Sequence, residues 1–178
     1  MDGLAELTLR PMTEDDLPTF ESWLHEPHFG RWFLQDATIE EELADNRNAI
    51  RGDDPAVVLI VELDGRSIGW CQWYSWWDYP AEAAEYDAAP AELGIDYGIG
   101  DPTLVGRGVG SQLIATLVER VREARPAASI LSGPSAANRA SCAVLEKNGF
   151  VLVDTRDIPS EPNASPIALY RLAPAAMG

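Results

Sequence analysis

The sequence is poor in basic residues and in long apolar runs, and each shortage excludes a class of partner. Only 13 Lys and Arg stand against 29 Asp and Glu, which gives a formal net charge of −16 and a pI near 4.3. A field of that sign repels phosphate backbones, so we expect no nucleic-acid partner. No apolar run approaches the roughly 20 residues of a membrane span, so we expect no membrane partner either. A cationic ligand, in contrast, is attracted.

Cysteine and targeting signals are also scarce. The two cysteines, Cys71 and Cys142, fit a reduced protein better than a disulfide scaffold, and neither belongs to a metal-spaced pair. The opening MDGLAELTLRPM lacks the charged-then-apolar pattern of a signal peptide. We therefore predict a cytoplasmic protein without a bound metal. With 178 residues and no internal repeat, linker or low-complexity tract, residues 1–178 are predicted to form a single domain.

Apolar periodicity predicts a mixture of strands and helices. Seven strands are predicted at residues 4–12, 56–63, 67–77, 92–100, 128–132, 150–157 and 167–172. Four helices are predicted at residues 14–24, 38–50, 109–125 and 136–147. The aromatic residues 28–33 are interpreted as a connector and residues 78–91 as a loop. The pattern favours one mixed α/β domain.

A glycine-rich turn, GRGVG at residues 106–110, opens the predicted helix at residues 109–125. Free backbone N–H groups and the positive end of the helix dipole converge at such a turn, which therefore suits a phosphate group. The dinucleotide pattern GxGxxG fails, because Ser111 and Leu113 stand where its third glycine belongs, and no Gly-Lys-Ser/Thr completes a P-loop. The alternative is a turn that only packs the helix against a strand.

The same turn resembles the acetyl-CoA site of the GNAT N-acetyltransferase superfamily. Its members bind the pyrophosphate of acetyl-CoA on a turn of pattern Q/R-x-x-G-x-G/A, which residues 105–110 match at both glycines, and the later SGPSAANRASCAVLEKNGF ends in the family's N/A-G-F signature. The resemblance implies a single-domain α/β (α+β) GNAT fold, with a mixed, mostly antiparallel sheet of about seven strands flanked by about four helices. It implies acetyl-CoA as co-substrate, no metal, and a donor site formed by Ile99, Val105, Gly106, Arg107, Gly108, Val109, Gly110, Ser111 and Asn138.

Charge is distributed in a way that fits a cationic acceptor and an anionic donor. Residues 67–106 hold seven acids, eight Trp and Tyr residues and no base, which suits the ammonium groups and rings of a polyamine sugar. A solvated acidic loop beside core aromatic residues has the same composition. Residues 107–156 hold seven bases against four acids, and either the phosphates of CoA or ordinary solvated arginines explain them.

Nearly the whole chain resembles the aminoglycoside 6′-N-acetyltransferases of that superfamily. The blocks LTLRPMTEDDLPTFESWL, HFGRWF, GWCQWY and GIDYGIG occur in the subgroup's order and at matching separations. The resemblance implies an acceptor site lined by His28, Trp32, Phe33, Gln72 and Asp96. It implies that Asp96 accepts the proton of the amine, directly or through water, because an alkyl ammonium of pKa roughly 10 is mostly protonated at neutral pH. Backbone N–H groups near Ile99 would polarise the thioester carbonyl.

Three positions depart from the family pattern. Val105 stands where Gln or Arg is usual, Leu145 replaces a tyrosine that protonates the departing thiolate, and Gly133 replaces an aspartate of the amine site. The thiolate then either leaves unaided or is protonated by another group. The alternatives are a siderophore-type lysine or hydroxylysine N-acyltransferase, a protein N-terminal acetyltransferase, and a catalytically silent acyl-CoA-binding module. Both monomer and homodimer remain open.

Overall fold

The computed structural model describes residues 5–176, which form a seven-stranded sheet and six α-helices. The strands are β1 (Leu7–Pro11), β2 (Val57–Leu63), β3 (Arg66–Ser75), β4 (Leu93–Ile99), β5 (Ile130–Ser132), β6 (Val151–Arg156) and β7 (Ile167–Leu172). The helices are α1 (Leu17–Leu24), α2 (Pro27–Phe33), α3 (Ile39–Arg51), α4 (Pro80–Tyr86), α5 (Val109–Ala124) and α6 (Arg139–Lys147). The predicted mixed α/β fold is confirmed; residue 4, the predicted start of the first strand, lies outside the described residues.

Two of the six helices were not expected from the sequence. The predicted connector at residues 28–33 lies within α2, and the predicted loop at residues 78–91 contains α4. Each is seven residues long, about two turns, which is too short to display a helical period of apolar residues. Both begin with proline, Pro27 and Pro80, a residue that favours the first position of a helix because its missing N–H is not needed there.

The sheet has the order β1-β2-β3-β4-β5-β7-β6 and is antiparallel except where β4 pairs with β5. β3 pairs with the full length of β4, from Ser75 opposite Leu93 to Gly69 opposite Ile99. β5 pairs with β4 only at Leu93 and Gly94. Within residues 5–176, the second half of β4 is therefore paired on one side only, and the sheet opens into a gap between β4 and β5.

Hydrophobic residues pack on both faces of the sheet. On one face, α5 buries an apolar stripe that includes Leu113, Leu117 and Val121, and α6 adds Leu145. On the other, α1, α2 and α3 cover β2 and β3, with Phe20 and Trp70 at the centre. Each such fully buried side chain contributes roughly 1.5–3 kcal/mol. Across residues 5–176, no helix combines the length and the apolar character needed to cross a membrane.

Candidate active site

A carboxylate lies in the middle of the sheet beside the gap. Asp96 is half-buried on β4, directly opposite Gln72 on β3, and Gln72 Nε2 donates a hydrogen bond of 2.8 Å to Asp96 Oδ2. Burial raises the pKa of Asp96 above its ordinary value, and the hydrogen bonds from Gln72 and Tyr74 oppose part of that rise. The structure thus brings together two of the predicted acceptor residues and makes one of them a stronger base than a solvated aspartate.

Phe33 forms an aromatic wall on the face of β4 that carries Asp96. Its ring stacks on Phe29 with 4.5 Å between centroids, and the two rings cover Gly98, two residues beyond Asp96. A Cβ at Gly98 would lie 2.5 Å from Phe29 Cε2 and 3.1 Å from Phe33 Cε2, so only glycine admits the rings there. Phe33 therefore covers the same face of β4 as the one that carries Asp96.

His28 and Trp32 lie one helical turn apart on α2, next to the stripe formed by Phe29 and Phe33. His28 Nε2 lies 3.0 Å from the carbonyl oxygen of Ile99, and because a carbonyl only accepts, Nε2 carries the proton. Trp32, one helical turn further along, has its ring 4.4 Å from the guanidinium carbon of Arg31. The structure thus ties His28 to the end of β4, and the face of Trp32 packs against Arg31.

The backbone of Ile99 faces the gap between β4 and β5. Gly100 N donates to Ile68 O at 2.8 Å, on the β3 side of the strand. Because successive N–H groups of a strand point to opposite edges, the N–H of Ile99 points away from β3 and toward the gap. An N–H in that position can donate to an oxyanion that forms in the gap.

The predicted phosphate turn is exposed and open at the start of α5. Gly106 and Gly108 adopt positive φ angles of 77° and 81°, which favour glycine, and a Cβ at either would meet no atom within 4 Å. The first helical bond runs from Gln112 N to Gly108 O, so the three N–H groups of residues 109–111 have no partner within the helix. These features fit the pyrophosphate of acetyl-CoA. Val105, 52% exposed, contributes no polar side chain.

Ser111, Gly110 and Asn138 also have structural roles. Ser111 Oγ accepts a hydrogen bond of 3.2 Å from Asn148 Nδ2, and Gly110 faces Val144 of α6 at ordinary contact distance. Asn138 caps α6, with its Oδ1 accepting from Ser141 N at 3.2 Å. The start of α5 is therefore fixed against the C-terminal half of α6, while Asn138 fixes the first turn of α6.

The basic segment does not form one phosphate patch. Arg120, Arg122 and Arg125 lie near the C-terminal end of α5, and each donates to a backbone carbonyl, as Arg120 does to Leu9 O. At 1.5 Å rise per residue, Arg120 lies about 16 Å along the axis from the start of the helix. Arg107, exposed in the turn itself, is the base that the structure places at the predicted phosphate site.

The acidic segment is likewise divided between roles. Glu92 is buried and paired with Arg171, and Asp101 caps a turn by accepting from Thr103 N. Glu92 and Asp101 thus stabilise the fold, whereas Asp96 lies on the half of β4 that borders the gap.

Gly133 is explained by its neighbour Tyr86. A Cβ at Gly133 would lie 2.4 Å from Tyr86 Cε1, so the tyrosine occupies the space of any side chain at this position. The Tyr86 hydroxyl donates to the carboxylate of Glu161, in the connection between β6 and β7. Burial raises the pKa of Glu161, and the charge of Asp96 raises it further. A carboxylate missing at position 133 is thus present nearby, on another segment.

Glu42 of α3 is a further carboxylate that sequence reasoning missed. Asn46, one turn along the same stripe, accepts a hydrogen bond of 2.8 Å from Trp70 Nε1, which holds this face of α3 over β3. Burial raises the pKa of Glu42 to about 8, with added repulsion from Asp45 and Asp96. The charge of Asp96 acts on both Glu42 and Glu161, so both carboxylates lie close enough to Asp96 for the charges to interact. No sequence spacing links them.

A sheet that opens beside a glycine-rich helix start, with a carboxylate and a free N–H on the same strand, is the layout of an acyl-transfer site. Residues 12–158 match the family model described as the acetyltransferase (GNAT) domain. The chain therefore belongs to the GNAT acetyltransferase family.

Curated and solved proteins resemble the chain over most of its length. The aminoglycoside N(6′)-acetyltransferase type 1 of Klebsiella pneumoniae is 28% identical over 166 residues, which cover 88% of this chain and 79% of the relative, and a protein of the same name from Serratia marcescens matches equally. A crystal structure of aminoglycoside acetyltransferase AAC(6′)-Ib with coenzyme A has a TM-score of 0.80 and 26% identity, covering 94% of this chain and 95% of that one. A structure of AAC(6′)-Ib with paromomycin and acetyl-CoA has a TM-score of 0.81 and 26% identity, covering 96% and 94%.

Proposed function

We propose that the protein transfers the acetyl group of acetyl-CoA to a primary amine of a cationic small molecule, the 6′-amine of an aminoglycoside. The proposal rests on the arrangement of β4 at the gap. Asp96 accepts a hydrogen bond from Gln72, and three residues further along the same strand the N–H of Ile99 faces the gap. The similarity to aminoglycoside N(6′)-acetyltransferases over 88% of the chain supports the same acceptor.

The donor side is formed by the open turn and the gap. N–H groups of residues 109–111, the glycines at 106 and 108 and the guanidinium of Arg107 would hold the phosphates of acetyl-CoA. The gap between β4 and β5 would admit the pantetheine beside Ile99, and Asn138, at the start of α6, would contact this arm. Bound acetyl-CoA supplies an activated thioester, and the Ile99 N–H would stabilise the oxyanion formed at its carbonyl.

The acceptor side supplies a base and several anchors. Asp96 takes a proton from the substrate ammonium, Gln72 holds the carboxylate in place, and the amine nitrogen then attacks the thioester carbonyl. Phe33 and Trp32 would contact the sugar rings, with His28 fixing the end of β4. Glu42 and Glu161 would bind further ammonium groups of a polyamine, although Tyr86 already donates to Glu161.

Thiol release from acetyl-CoA in the presence of an amine panel tests the proposal. Turnover of kanamycin or tobramycin supports it. Turnover of lysine or hydroxylysine instead points to a siderophore-type acyltransferase, and turnover of short peptides to a protein N-terminal acetyltransferase. CoA binding without turnover of any amine identifies a silent acyl-CoA-binding module. Absence of CoA binding contradicts all of these.

We further propose that residues 1–178 act as one domain in the cytoplasm, as a monomer or a homodimer, without a nucleic-acid or membrane partner. The net charge of −16 supports the last two points. Light scattering on the purified protein distinguishes the two assemblies, and cell fractionation tests the location.

A further inference from the structure

Release of the thiol is a step of the proposed reaction for which the group implied by the family resemblance is missing. When the C–S bond of the tetrahedral intermediate breaks, the electron pair goes to sulfur, and the thiolate must gain a proton to become CoA. The family resemblance implies a tyrosine for this purpose at position 145, where this chain has Leu145. This leucine is 0% exposed, packed in the core beneath α5 and α6, and has no acidic proton to give.

A tyrosine hydroxyl nevertheless reaches the first turn of α6 from the sheet. Tyr97, the residue after Asp96, lies on the opposite face of β4, and its hydroxyl is 2.6 Å from Ser141 Oγ. Side chains of a helix lean toward its N-terminus, so a tyrosine at position 145 would place its hydroxyl over the turn that contains Ser141. The Tyr97 hydroxyl thus arrives from β4 at the place that the missing side chain would serve.

The position of Tyr97 along β4 also fits the step. It lies in the half of the strand that β5 does not pair, two residues before Ile99, so the hydroxyl and the oxyanion-binding N–H flank the same part of the gap. Tyr97 and Ser141 are both half-buried, so neither is sealed within the core. Ser141 is held in turn by the cap from Asn138.

The second tyrosine near α6 is not available for this role. Tyr170 is buried, and its hydroxyl donates a hydrogen bond of 2.8 Å to the carboxylate of Glu146. Its proton is therefore already engaged by Glu146. Tyr97 has a hydroxyl as its partner instead. Ser141 can accept from Tyr97 before the step and donate to the phenolate oxygen after it.

We propose that Tyr97, positioned by Ser141, is the general acid that protonates the departing thiolate, in place of the helix tyrosine that Leu145 replaces. The step rests on the proposed acetyl transfer. The C–S bond breaks, the Tyr97 proton moves to sulfur, and the resulting phenolate accepts a hydrogen bond from Ser141. The nitrogen loses two protons, one to Asp96 before the attack and one to solvent as the amide forms; one of the two reprotonates Tyr97 through solvent and the other is released, so the protons balance. Burial raises the pKa of Tyr97, which keeps the hydroxyl protonated before each turnover.

The Tyr97→Phe variant tests the proposal with two readouts. Its kcat is expected to fall about tenfold or more, while the KM for acetyl-CoA changes less than about twofold. This loss is smaller than the usual rate contribution of a general acid, because a thiolate is already a fair leaving group. Calorimetry supplies the second readout: the wild-type protein is expected to bind CoA about twofold to tenfold more tightly than desulfo-CoA, and Tyr97→Phe to lose that preference.

Two further variants separate contact with sulfur from a structural effect. Ser141→Ala, on the first turn of α6, is expected to lower kcat about twofold to tenfold and to weaken the preference for CoA, and it answers the question if Tyr97→Phe does not fold. Tyr170→Phe removes a hydroxyl from the same neighbourhood and is expected to keep both kcat and the preference. A Tyr97→Phe protein with wild-type kcat, or with an unchanged ratio of CoA to desulfo-CoA affinity, overturns the proposal. If the wild-type protein acetylates no amine, the proposed function fails, but the calorimetric comparison still decides whether Tyr97 reaches the sulfur.

Discussion

Gln72 Nε2 and Asp96 Oδ2 lie 2.8 Å apart on directly opposed residues of β3 and β4. The amide holds the carboxylate in one orientation and favours its charged form, while burial favours the neutral form. The balance leaves the pKa of Asp96 raised, which brings it closer to the pKa of the ammonium that Asp96 must deprotonate.

Replacing Gln72 with leucine is expected to move the acid limb of the kcat/KM profile to higher pH. Asp96 acts as a base only when ionised, so activity falls as pH drops through its pKa, and loss of a hydrogen bond that lowers this pKa raises it further. A series of initial rates against pH measures the limb. Ser75→Ala, on the same strand, is the control and should leave the limb in place. A limb that stays fixed or moves to lower pH in Gln72→Leu contradicts the assigned role.

His28→Leu is expected to reduce kcat about twofold to tenfold, since one hydrogen bond to the Ile99 carbonyl is lost and the neighbouring N–H is less well fixed. The other histidine of the chain, exposed His25, provides the matched variant His25→Leu, which should behave as wild type. Steady-state kinetics with saturating acceptor makes the comparison. Equal loss in the two variants would show that His28 does not support Ile99.

Gly108→Ala is expected to weaken CoA binding about tenfold, because a side chain at φ 81° shifts the turn that presents the N–H groups. The same strain costs about 1–2 kcal/mol of folding stability. Gly52→Ala has almost the same strain, at φ 80° after the end of α3, but lies outside the turn. Calorimetry and urea unfolding should therefore show a similar loss of stability in both variants and a loss of CoA affinity only in Gly108→Ala.

Arg171→Met is expected to destabilise the protein by about 3 kcal/mol, because it leaves the buried charge of Glu92 without its partner. This value is at the lower end of the range of losses for breaking a buried ion pair, since Arg171 is itself about one-third exposed. Burial alone would raise the pKa of Glu92, but hydrogen bonds from Arg171, Ser129 and Ala89 N lower it overall. In the wild type, ionised Glu92 therefore stabilises the folded protein above the ordinary pKa of a carboxylate, and this contribution is lost as pH falls through the lowered pKa of Glu92.

The exposed pair of Arg51 and Glu14 provides the control for that experiment. Arg51→Met should cost at most about 1 kcal/mol, as expected for ion pairs in water. Urea denaturation of both variants gives the two values, and equal losses would mean that the pair of Glu92 and Arg171 adds nothing beyond a surface contact.

Local features of the fold were predictable because neighbouring residues determine them. The capping box of Thr38 and Glu41 forms both of its hydrogen bonds, at 2.9 and 3.2 Å. The apolar stripe of α5 follows a helical period over 16 residues, long enough to be read from the sequence. Glycines at 106 and 108 mark a turn because only glycine adopts its backbone angles easily.

Contacts between distant segments could not be predicted in the same way. Glu161 is linked to the space at Gly133 through Tyr86, which lies 75 residues earlier in the chain. The ring of Tyr86 fills that space, and its hydroxyl donates a hydrogen bond to Glu161. Tyr97 meets Ser141 across 44 residues, on the face of β4 opposite Asp96. Charge counts along the chain do not separate such roles for the same reason, since Glu92 and Asp96 are close in sequence but Glu92 pairs with Arg171 while Asp96 borders the gap.

The reaction of the Asp96→Asn variant shows whether Asp96 is the base that deprotonates the substrate ammonium. Asparagine keeps the size and the site of the side chain but cannot accept the ammonium proton. With an aminoglycoside that the wild type acetylates, kcat/KM measured by thiol release is expected to fall about 100-fold to 10,000-fold, while the Kd for CoA stays within about twofold of wild type. An Asp96→Asn protein that acetylates the aminoglycoside at the wild-type rate would contradict the account.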